Sequence, residues 1–179
     1  MKVAVFSTKP YDKQYFEKYN RSFQHELEFF DTNLNTQTTN LTRDFDAVCV
    51  FVNDKLDEAV IEKLALNGIK LIALRCAGFN NVDLQAAEKY GIKVTRVPAY
   101  SPQAVAEHAL ALILALNRKT HKAYNRVKEG NFSLNNLIGF NVHNKTVGVI
   151  GTGKIGHAFC EIMLGLGCKV VAYDVKKQP

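Results

Sequence analysis

The stretch that decides the fold is Thr146-Val147-Gly148-Val149-Ile150-Gly151-Thr152-Gly153-Lys154-Ile155-Gly156. Its first five residues form a short, β-branched and apolar run, which predicts a strand. The last six match the pattern G-x-G-x-x-G and lead into an amphipathic helix pattern over residues 154–166. A second apolar run, residues 169–173, ends at Asp174. This order of strand, glycine turn, helix, strand and acidic residue predicts the first βαβ unit of a Rossmann dinucleotide-binding domain.

Each glycine of the turn has its own physical task. Gly151 permits the tight turn, Gly153 lets a pyrophosphate approach the backbone, and Gly156 lets the helix and the strand pack closely. The amides at the start of the helix then face the phosphates with a favourable dipole. A structural glycine turn without a ligand is the alternative that this pattern leaves open.

The acidic residue after the second strand predicts which dinucleotide is bound. Asp174 lies 18 residues past Gly156, close to the expected offset of about 20, where a carboxylate accepts hydrogen bonds from the adenosine ribose hydroxyls. A carboxylate there also repels the additional phosphate of NADP, so we expect NAD as the cofactor. Lys176 and Lys177 lie close by in the sequence and keep NADP open as an alternative.

The first hundred residues alternate between short apolar runs and amphipathic stretches. The runs that predict strands are residues 2–6, 27–30, 47–51, 70–74 and 92–97. The stretches that predict helices are residues 11–23, 57–66 and 84–90. Alternation of this kind is typical of a parallel sheet with helices on both faces. We therefore expect residues 1–100 to form a flavodoxin-like, parallel-sheet substrate domain.

The alternation of short strand and helix patterns stops at residue 101, and this change predicts the boundary between two domains. Ser101-Pro102 is a favourable helix start, with Ser as N-cap and Pro at the first helical position. One long helical pattern runs from there to about residue 130 and predicts a connector helix, followed by a loop over residues 131–144. Residues 101–179 would then hold the connector and one βαβ unit. Because a dinucleotide-binding sheet needs about five or six strands, we expect the chain to be part of a longer protein.

Composition narrows the class of protein. Apolar residues make up 47% and charged residues 22%, which are ordinary globular values. The net charge of +6 comes from cations spread along the chain, so we expect no nucleic-acid partner. No apolar run is long enough for a membrane span or a signal peptide, and we expect a cytoplasmic protein. The four cysteines show no metal-ligand spacing, and we assign no metal site. We expect Cys49, Cys160 and Cys168, which lie in apolar runs, to be buried, reduced thiols.

Two further segments follow predicted strands directly. They are RCAGFNNVD, residues 75–83, and VPAYSPQAVAEHA, residues 97–109. In a parallel sheet, ligands bind beyond the carboxyl ends of the strands, where both segments are expected to lie. Successive amides around Cys76, Ala77 and Gly78 would form a concave site for a carboxylate. For the side chain of Arg75, we expect a surface or packing role rather than anion binding.

These two segments, followed by VGVIGTGKIG at residues 147–156, resemble the D-isomer-specific 2-hydroxyacid dehydrogenases, and within that family the D-lactate dehydrogenases. The resemblance extends from the first residues of the chain to the last. It implies an oxidoreductase that transfers a hydride from NADH to pyruvate, giving D-lactate, and it implies a homo-oligomer.

The resemblance also assigns roles on the substrate side. It implies that the amides of Cys76, Ala77 and Gly78 hold the substrate carboxylate and that Tyr100 lines the small-substrate pocket. No catalytic residue of the family matches a position in this chain. The family's arginine, glutamate and histidine are expected beyond Pro179, so we expect the 179 residues to be inactive alone. His108 is expected to be structural.

On the cofactor side, the resemblance implies that Lys154 and Ile155 contact the pyrophosphate and that Asp174 binds the ribose. Val105 matches a position near the nicotinamide, although a role in the helix core is equally open. Two alternative functions also remain open. One is a dehydrogenase for another D-2-hydroxy acid, and the other is a non-enzymatic, NAD(H)-sensing interaction protein on the same fold.

Overall fold

In the computed structural model, which describes residues 1–176, a five-stranded and wholly parallel sheet organises the first hundred residues. Its strands are β1 (Lys2–Val5), β2 (Glu26–Phe29), β3 (Ala47–Val50), β4 (Leu71–Leu74) and β5 (Lys93–Arg96). Their spatial order is β2-β1-β3-β4-β5. This is the strand order of the flavodoxin fold, and the predicted fold class is confirmed.

Helices α1 (Pro10–Asn20), α2 (Glu58–Leu66) and α3 (Leu84–Lys89) connect the strands. Side chains alternate between the two faces of a strand, and the face under α2 and α3 carries the main core. Its buried members come from β1 and the residue after it, from β3 and β4, and from the two helices: Ala4, Phe6, Val48, Val50, Ile72, Leu74, Val60, Ile61, Leu64, Ala86 and Ala87. Burying each large aliphatic side chain stabilises the fold by about 1.5–3 kcal/mol. The other face, under Phe16 and Tyr19 of α1, lines an apolar groove of about 390 Å³.

The helix ends follow from local chemistry. The carboxylate of Asp57 accepts from the amide of Val60 at 3.2 Å, and that of Asp83 accepts from Ala86 at 3.0 Å. Such an N-cap contributes about 1 kcal/mol. Gly91, just past α3, has a φ of +69°, a left-handed conformation that glycine adopts without the steric cost of a Cβ. These ends set the positions at which each connection enters the next strand.

The chain divides into two units between Tyr100 and Ser101. The second unit contains α4 (Pro102–Arg118), α5 (Thr120–Lys128), β6 (Thr146–Ile150), α6 (Lys154–Gly165) and β7 (Lys169–Tyr173). Strands β6 and β7 pair in parallel, and α4 packs against α6. The predicted βαβ unit is therefore present. The hydroxyl of Ser101 accepts from the amide of Ala104 at 3.1 Å, as the N-cap prediction requires. Lys177 lies outside the described residues.

The prediction of one long connector helix over residues 101–130 was wrong. The helix breaks at Lys119, whose φ of +53° is left-handed, and α5 begins at the next residue. Residues at the break and just before it contact residues of the loop that follows α5, much further along the chain. Lys119 Nζ donates to the carbonyl of Asn136 at 3.0 Å, and the Asn117 amide group donates to the carbonyl of Phe140 at 2.8 Å. The loop that follows α5 thus folds back onto the end of α4, which a helical sequence pattern does not reveal.

Burial differs between the two units. In the second unit, the buried apolar residues among those described are Ala106, Val149, Ala158, Met163 and Cys168.

In residues 101–176, as in residues 1–100, no helix is long and apolar enough to cross a membrane. All four cysteines are free; Cys49, Cys76 and Cys168 are buried and Cys160 is partly buried.

Candidate functional site

The glycine turn in the second unit has the geometry that phosphate binding requires. Gly151 has a φ of +93°, and a Cβ on Gly156 would overlap the carbonyl oxygen of Gly151. Both positions therefore need glycine for the backbone itself. Gly153 differs, because a Cβ there would meet no atom within 4 Å. The absence of a side chain at this position, beside the start of a helix, would let a pyrophosphate approach the backbone closely.

The amides that open α6 are available to an anion. Within residues 1–176, the amides of Gly153, Lys154 and Ile155 donate no hydrogen bond. The first amides of any helix lack intrahelical partners and carry the positive end of its dipole. The side chains of Lys154 and Ile155 are exposed beside them. The turn therefore offers a cradle that fits a dinucleotide pyrophosphate.

Asp174 lies next to this cradle because it is held by the turn itself. One carboxylate oxygen accepts from the amide of Thr152 at 2.6 Å and from its hydroxyl at 3.1 Å, and the other accepts from the amide of Lys176 at 3.0 Å. These hydrogen bonds lower the pKa of Asp174 below its ordinary value; the bond from the Lys176 amide has the largest effect, followed by the bonds from the amide and the hydroxyl of Thr152. The carboxylate is thus ionised and retains acceptor capacity for ribose hydroxyls. Thr152 was not among the residues predicted from the sequence, because only its contact with Asp174 reveals its role.

In the first unit, three consecutive carbonyls are anchored directly after β4. The carbonyl of Arg75 accepts from the Tyr100 hydroxyl at 3.1 Å, and that of Cys76 accepts from the amide of Val97 at 3.2 Å. The carbonyl of Ala77 accepts from the Arg96 guanidinium at 3.2 Å. All three donors belong to the segment at and after the end of β5. The segment from Arg96 to Tyr100 therefore holds one side of this loop.

The orientation of the amides follows from these anchors. In a trans peptide the N–H points opposite to the C=O of the same planar unit. The amides of Cys76, Ala77 and Gly78 are therefore directed away from the groups that hold the preceding carbonyls. None of these three amides has an acceptor among residues 1–176. Successive amides without partners form a concave anion site, at the carboxyl edge of a parallel sheet where ligands bind.

The side chains of this loop do not compete for the same role. Cys76 is buried, its Sγ lies 3.2 Å from the carbonyl of Gly78, and burial raises the pKa of the thiol. A protonated, buried thiol is a poor nucleophile. Gly78 does not have a left-handed φ, and a Cβ there would meet no atom within 4 Å. Neither backbone nor packing explains this glycine within the described residues, which favours close approach of a ligand.

Arg75 packs within the protein, which confirms the packing alternative of the sequence analysis. Its two terminal nitrogens donate to the carbonyls of Phe6 and Ser7 at 2.7 Å each, and its guanidinium lies 5.0 Å from the ring of Phe51. The Arg75 Nε is 3.6 Å from a carboxylate oxygen of Asp12. The guanidinium therefore ties the end of β4 to the end of β1.

The remaining predicted residues are distributed between the two units. Cys76, Ala77, Gly78 and Tyr100 come together at the edge of the first sheet, and Tyr100 is 55% exposed there. Val105 lies in the first turns of α4 and is 47% exposed, so it is not buried core within this chain. Exposed His108 lies on the same helix. Among residues 1–176, no cluster of three metal-ligating side chains occurs.

The chain combines a flavodoxin-order sheet that carries a cluster of unpaired amides with a βαβ unit that carries a dinucleotide fingerprint. This combination places it among the two-unit α/β proteins. The sequence model of the family described as "D-isomer specific 2-hydroxyacid dehydrogenase, catalytic domain" matches residues 3–155. The chain therefore belongs to the D-isomer-specific 2-hydroxyacid dehydrogenase family.

Similar proteins carry related names. A 2-hydroxyacid dehydrogenase homolog of Haemophilus influenzae is 56% identical over 179 residues, covering 100% of this chain and 54% of the relative. The D-lactate dehydrogenase of Escherichia coli is 55% identical over 174 residues, covering 97% of this chain and 53% of the relative. The chain spans about half the length of the curated relatives it matches.

Solved structures agree with this membership. The apo-structure of D-lactate dehydrogenase from Escherichia coli matches with a TM-score of 0.93 at 53% identity, covering 99% of this chain and 56% of that one. The D-lactate dehydrogenase with NAD⁺ from Lactobacillus jensenii matches with a TM-score of 0.75 at 39% identity, covering 100% of this chain and 55% of that one.

Proposed function

We propose that the protein containing this chain is an NAD-dependent D-lactate dehydrogenase that reduces pyruvate to D-lactate. The observation that carries the proposal is the set of three consecutive amides without acceptors at Cys76, Ala77 and Gly78. They fit the carboxylate of a 2-oxo acid, which all substrates of such an enzyme share. Relatives named D-lactate dehydrogenase, at 55% identity, support the choice of a small 2-oxo acid.

Different residues of this chain would bind the two ends of pyruvate. The three amides hold the carboxylate through hydrogen bonds to an ionised group, which are stronger than those between neutral groups. Tyr100 presents an exposed aromatic ring beside them, with its hydroxyl occupied by the Arg75 carbonyl. A ring whose hydroxyl is already engaged offers an apolar wall, which suits the methyl group of pyruvate.

When bound, NADH would supply a hydride for the ketone carbon. The residues that would hold it are Gly151, Gly153 and Gly156 of the turn, the amides of Lys154 and Ile155, and Asp174, with Val105 near the nicotinamide. Asp174 favours NAD over NADP because an ionised carboxylate repels a 2′-phosphate. The structure with NAD⁺ from Lactobacillus jensenii, at 39% identity, supports this choice of cofactor.

We assign neither the group that protonates the carbonyl oxygen nor the cation that polarises it to any residue of this chain. We propose that an arginine, a glutamate and a histidine elsewhere in the whole protein supply them. The chain spans about half the length of its relatives, which is consistent with this division. We also propose a homo-oligomer. Exposed apolar side chains at Phe132, Leu134 and Ile138 would gain cover from such a contact.

The proposal is tested by following NADH oxidation with pyruvate by the whole protein, with the enantiomer of the product determined by chiral chromatography. D-lactate as the product is the expected result, and L-lactate would contradict it. Turnover only with a larger 2-oxo acid would indicate another D-2-hydroxyacid dehydrogenase. A change of oligomeric state or partner binding with NADH, without turnover of any 2-oxo acid, would indicate the sensing function.

The Cys76→Ala variant is a matched control for this assay. The proposal uses the amide of residue 76 and not its thiol, so kcat and KM should stay within about 3-fold of the original values. Loss of turnover in a correctly folded Cys76→Ala protein would assign the chemistry to the thiol and contradict the proposed role of the amides.

A further inference from the structure

Arg96 ends β5, and its side chain donates hydrogen bonds to carbonyls of the two loops that follow β4 and β5. Its Nη1 lies 3.2 Å from the carbonyl of Ala77, 3.4 Å from that of Val97 and 3.2 Å from that of Pro98. Its guanidinium lies 5.3 Å from the centre of the Phe79 ring. Within the described part of the chain, no ion pair with Asp or Glu involves Arg96. Its charge is therefore not neutralised by a neighbouring carboxylate.

The position of this charge matters because of the peptide it contacts. The carbonyl of Ala77 and the N–H of Gly78 belong to one planar, conjugated unit. A cationic donor on the carbonyl polarises that unit and makes its N–H a stronger donor, since hydrogen bonds in a chain reinforce one another. The same contact fixes the plane of the peptide, and with it the direction of the Gly78 amide.

The other contacts of Arg96 couple the two loops. The carbonyls of Val97 and Pro98 belong to the segment that leads to Tyr100, while the carbonyl of Ala77 belongs to the loop with the three amides. One guanidinium thus spans the connection after β4 and the connection after β5. Lysine at this position would retain the charge but not the planar group that faces several acceptors and stacks on Phe79.

We propose that Arg96 is a positioning residue for substrate: it orients and polarises the amide of Gly78 and sets the spacing between the carboxylate site and Tyr100. This inference rests on the proposed function, because it concerns the same carboxylate site. Arg96 does not contact the reacting atoms and acts through the peptide it holds. Its loss should therefore weaken binding of the carboxylate much more than it slows hydride transfer.

The test compares Arg96→Gln and Arg96→Lys with the unaltered whole protein. For Arg96→Gln we expect the KM for pyruvate and the Kd for oxamate, an unreactive carboxylate analogue, to rise by roughly 10-fold, as for a lost hydrogen bond to a charged group. The kcat should change by less than about 3-fold, and the rise for Arg96→Lys should be intermediate. The Kd for NADH should not change, because the proposed role of Arg96 concerns the carboxylate site and not the glycine turn.

Lys93→Gln is the matched control, because it removes one exposed positive charge from the same strand. It should leave the Kd for oxamate unchanged, which separates positioning from a general loss of positive charge. If thermal unfolding shows that Arg96→Gln does not fold, the test rests on Arg96→Lys alone, for which we expect an intermediate rise in the Kd for oxamate. Unchanged oxamate affinity in a folded Arg96 variant, or an equal change in Lys93→Gln, would overturn the role of Arg96 and leave the proposed function standing. Absence of both oxamate binding and turnover in the unaltered protein would overturn both proposals.

Discussion

At the scale of the residue, the three glycines of the turn serve different purposes, although the sequence alone does not distinguish them. Gly151 has a left-handed φ, and Gly156 lies against the carbonyl of Gly151, so both serve the backbone. Gly153 has neither constraint within the described residues: it is the N-cap of α6, and the approach of a ligand gives this position a further reason to lack a side chain. The same reasoning applies to Gly78 at the edge of the first sheet. A glycine that the fold does not need is a more specific indication of binding than a glycine that it does need.

Substitution by alanine separates these two kinds of glycine in the turn. We expect Gly153→Ala to raise the Kd for NADH by roughly 10-fold or more, because the methyl group occupies the approach to the phosphates, with Tm nearly unchanged. Gly156→Ala should instead destabilise the protein by about 1–3 kcal/mol, as overpacking does. Fluorescence titration with NADH and thermal unfolding measure the two effects. Equal losses of stability in both variants would contradict this division.

Gly78→Ala is the corresponding variant in the first unit. A Cβ at this position meets no protein atom within 4 Å, so we expect the Tm to stay the same. The methyl group would stand beside the amide proposed to bind carboxylate, and the KM for pyruvate should rise by roughly 10-fold. Steady-state kinetics on the whole protein test this expectation. A drop in Tm without a change in KM would show that Gly78 serves packing instead.

The lowered pKa of Asp174 gives a pH prediction. Because the folded value lies below the ordinary 3.8, the ionised carboxylate persists as the pH falls, and its contribution is lost only below that value. The Kd for NADH, which carries no 2′-phosphate, should therefore stay constant between about pH 8 and about pH 5. Asp174→Asn should reduce the preference for NADH over NADPH by roughly 10-fold at about pH 8, where the 2′-phosphate carries its full charge. Titration of NADH at several pH values, and of both dinucleotides at about pH 8, measures these effects; a Kd for NADH that rises between pH 7 and pH 5 in the unaltered protein but not in Asp174→Asn would contradict the prediction.

At the scale of the element, the break between α4 and α5 shows a tertiary contact overriding a local pattern. The sequence from Pro102 to Lys128 is compatible with one helix, yet Lys119 adopts a left-handed conformation and the loop after α5 returns to the end of α4. A left-handed residue other than glycine costs about 1–2 kcal/mol. The contacts of Asn117 with Phe140, at 2.8 and 2.9 Å, help to offset that cost.

Lys119 allows the break to be tested by a pair of substitutions. Asparagine tolerates the left-handed region, whereas a β-branched residue is a steric outlier there. We expect Lys119→Val to lower the free energy of unfolding by about 1 kcal/mol more than Lys119→Asn does. The same pair at Lys122, within α5, is the control, because valine and asparagine have similar helix propensities. Equal stabilities of the two Lys119 variants in urea unfolding would indicate a continuous helix in solution.

At the scale of the whole molecule, the two units differ in how much of their apolar surface they bury. All four residues of β3 are buried between neighbouring strands, whereas β6 has one buried residue and pairs only with β7 among the described strands. Local stability follows burial and the protection of backbone hydrogen bonds. The first unit should therefore behave as the stable core of the 179-residue chain.

Hydrogen exchange on the 179-residue chain tests this difference. Amides of β3 should exchange at least about 10-fold more slowly than those of β6 after correction for intrinsic rates, because β3 opens only with the whole sheet. Mass spectrometry of peptides that cover the two strands measures the rates. Equal protection in β3 and β6 would show that the two units open together, against the burial pattern.

The sequence by itself determined the alternation of strands and helices, the flavodoxin-like class of the first unit, the glycine turn and its acidic partner. These features depend on residues that are close in the chain, where periodicity and turn chemistry act directly. It also predicted that the loop after β4 would present amides, although only by resemblance and by its place after a strand. Apart from the break at Lys119, the element bounds lie within three residues of the predictions, and those of β6 and β7 agree with them. The remaining differences arise because helix and strand ends depend on neighbouring elements.

Only the tertiary structure decided how that loop is held. The carbonyls of Arg75, Cys76 and Ala77 are fixed by Tyr100, Val97 and Arg96, which lie about twenty residues further along and meet the loop only because β4 and β5 pair. The same holds for the contact of Thr152 with Asp174 and for the break at Lys119. The physical reason is that a donor and an acceptor distant in sequence become neighbours only when a sheet or a returning loop brings them together. No local pattern in the chain records that pairing.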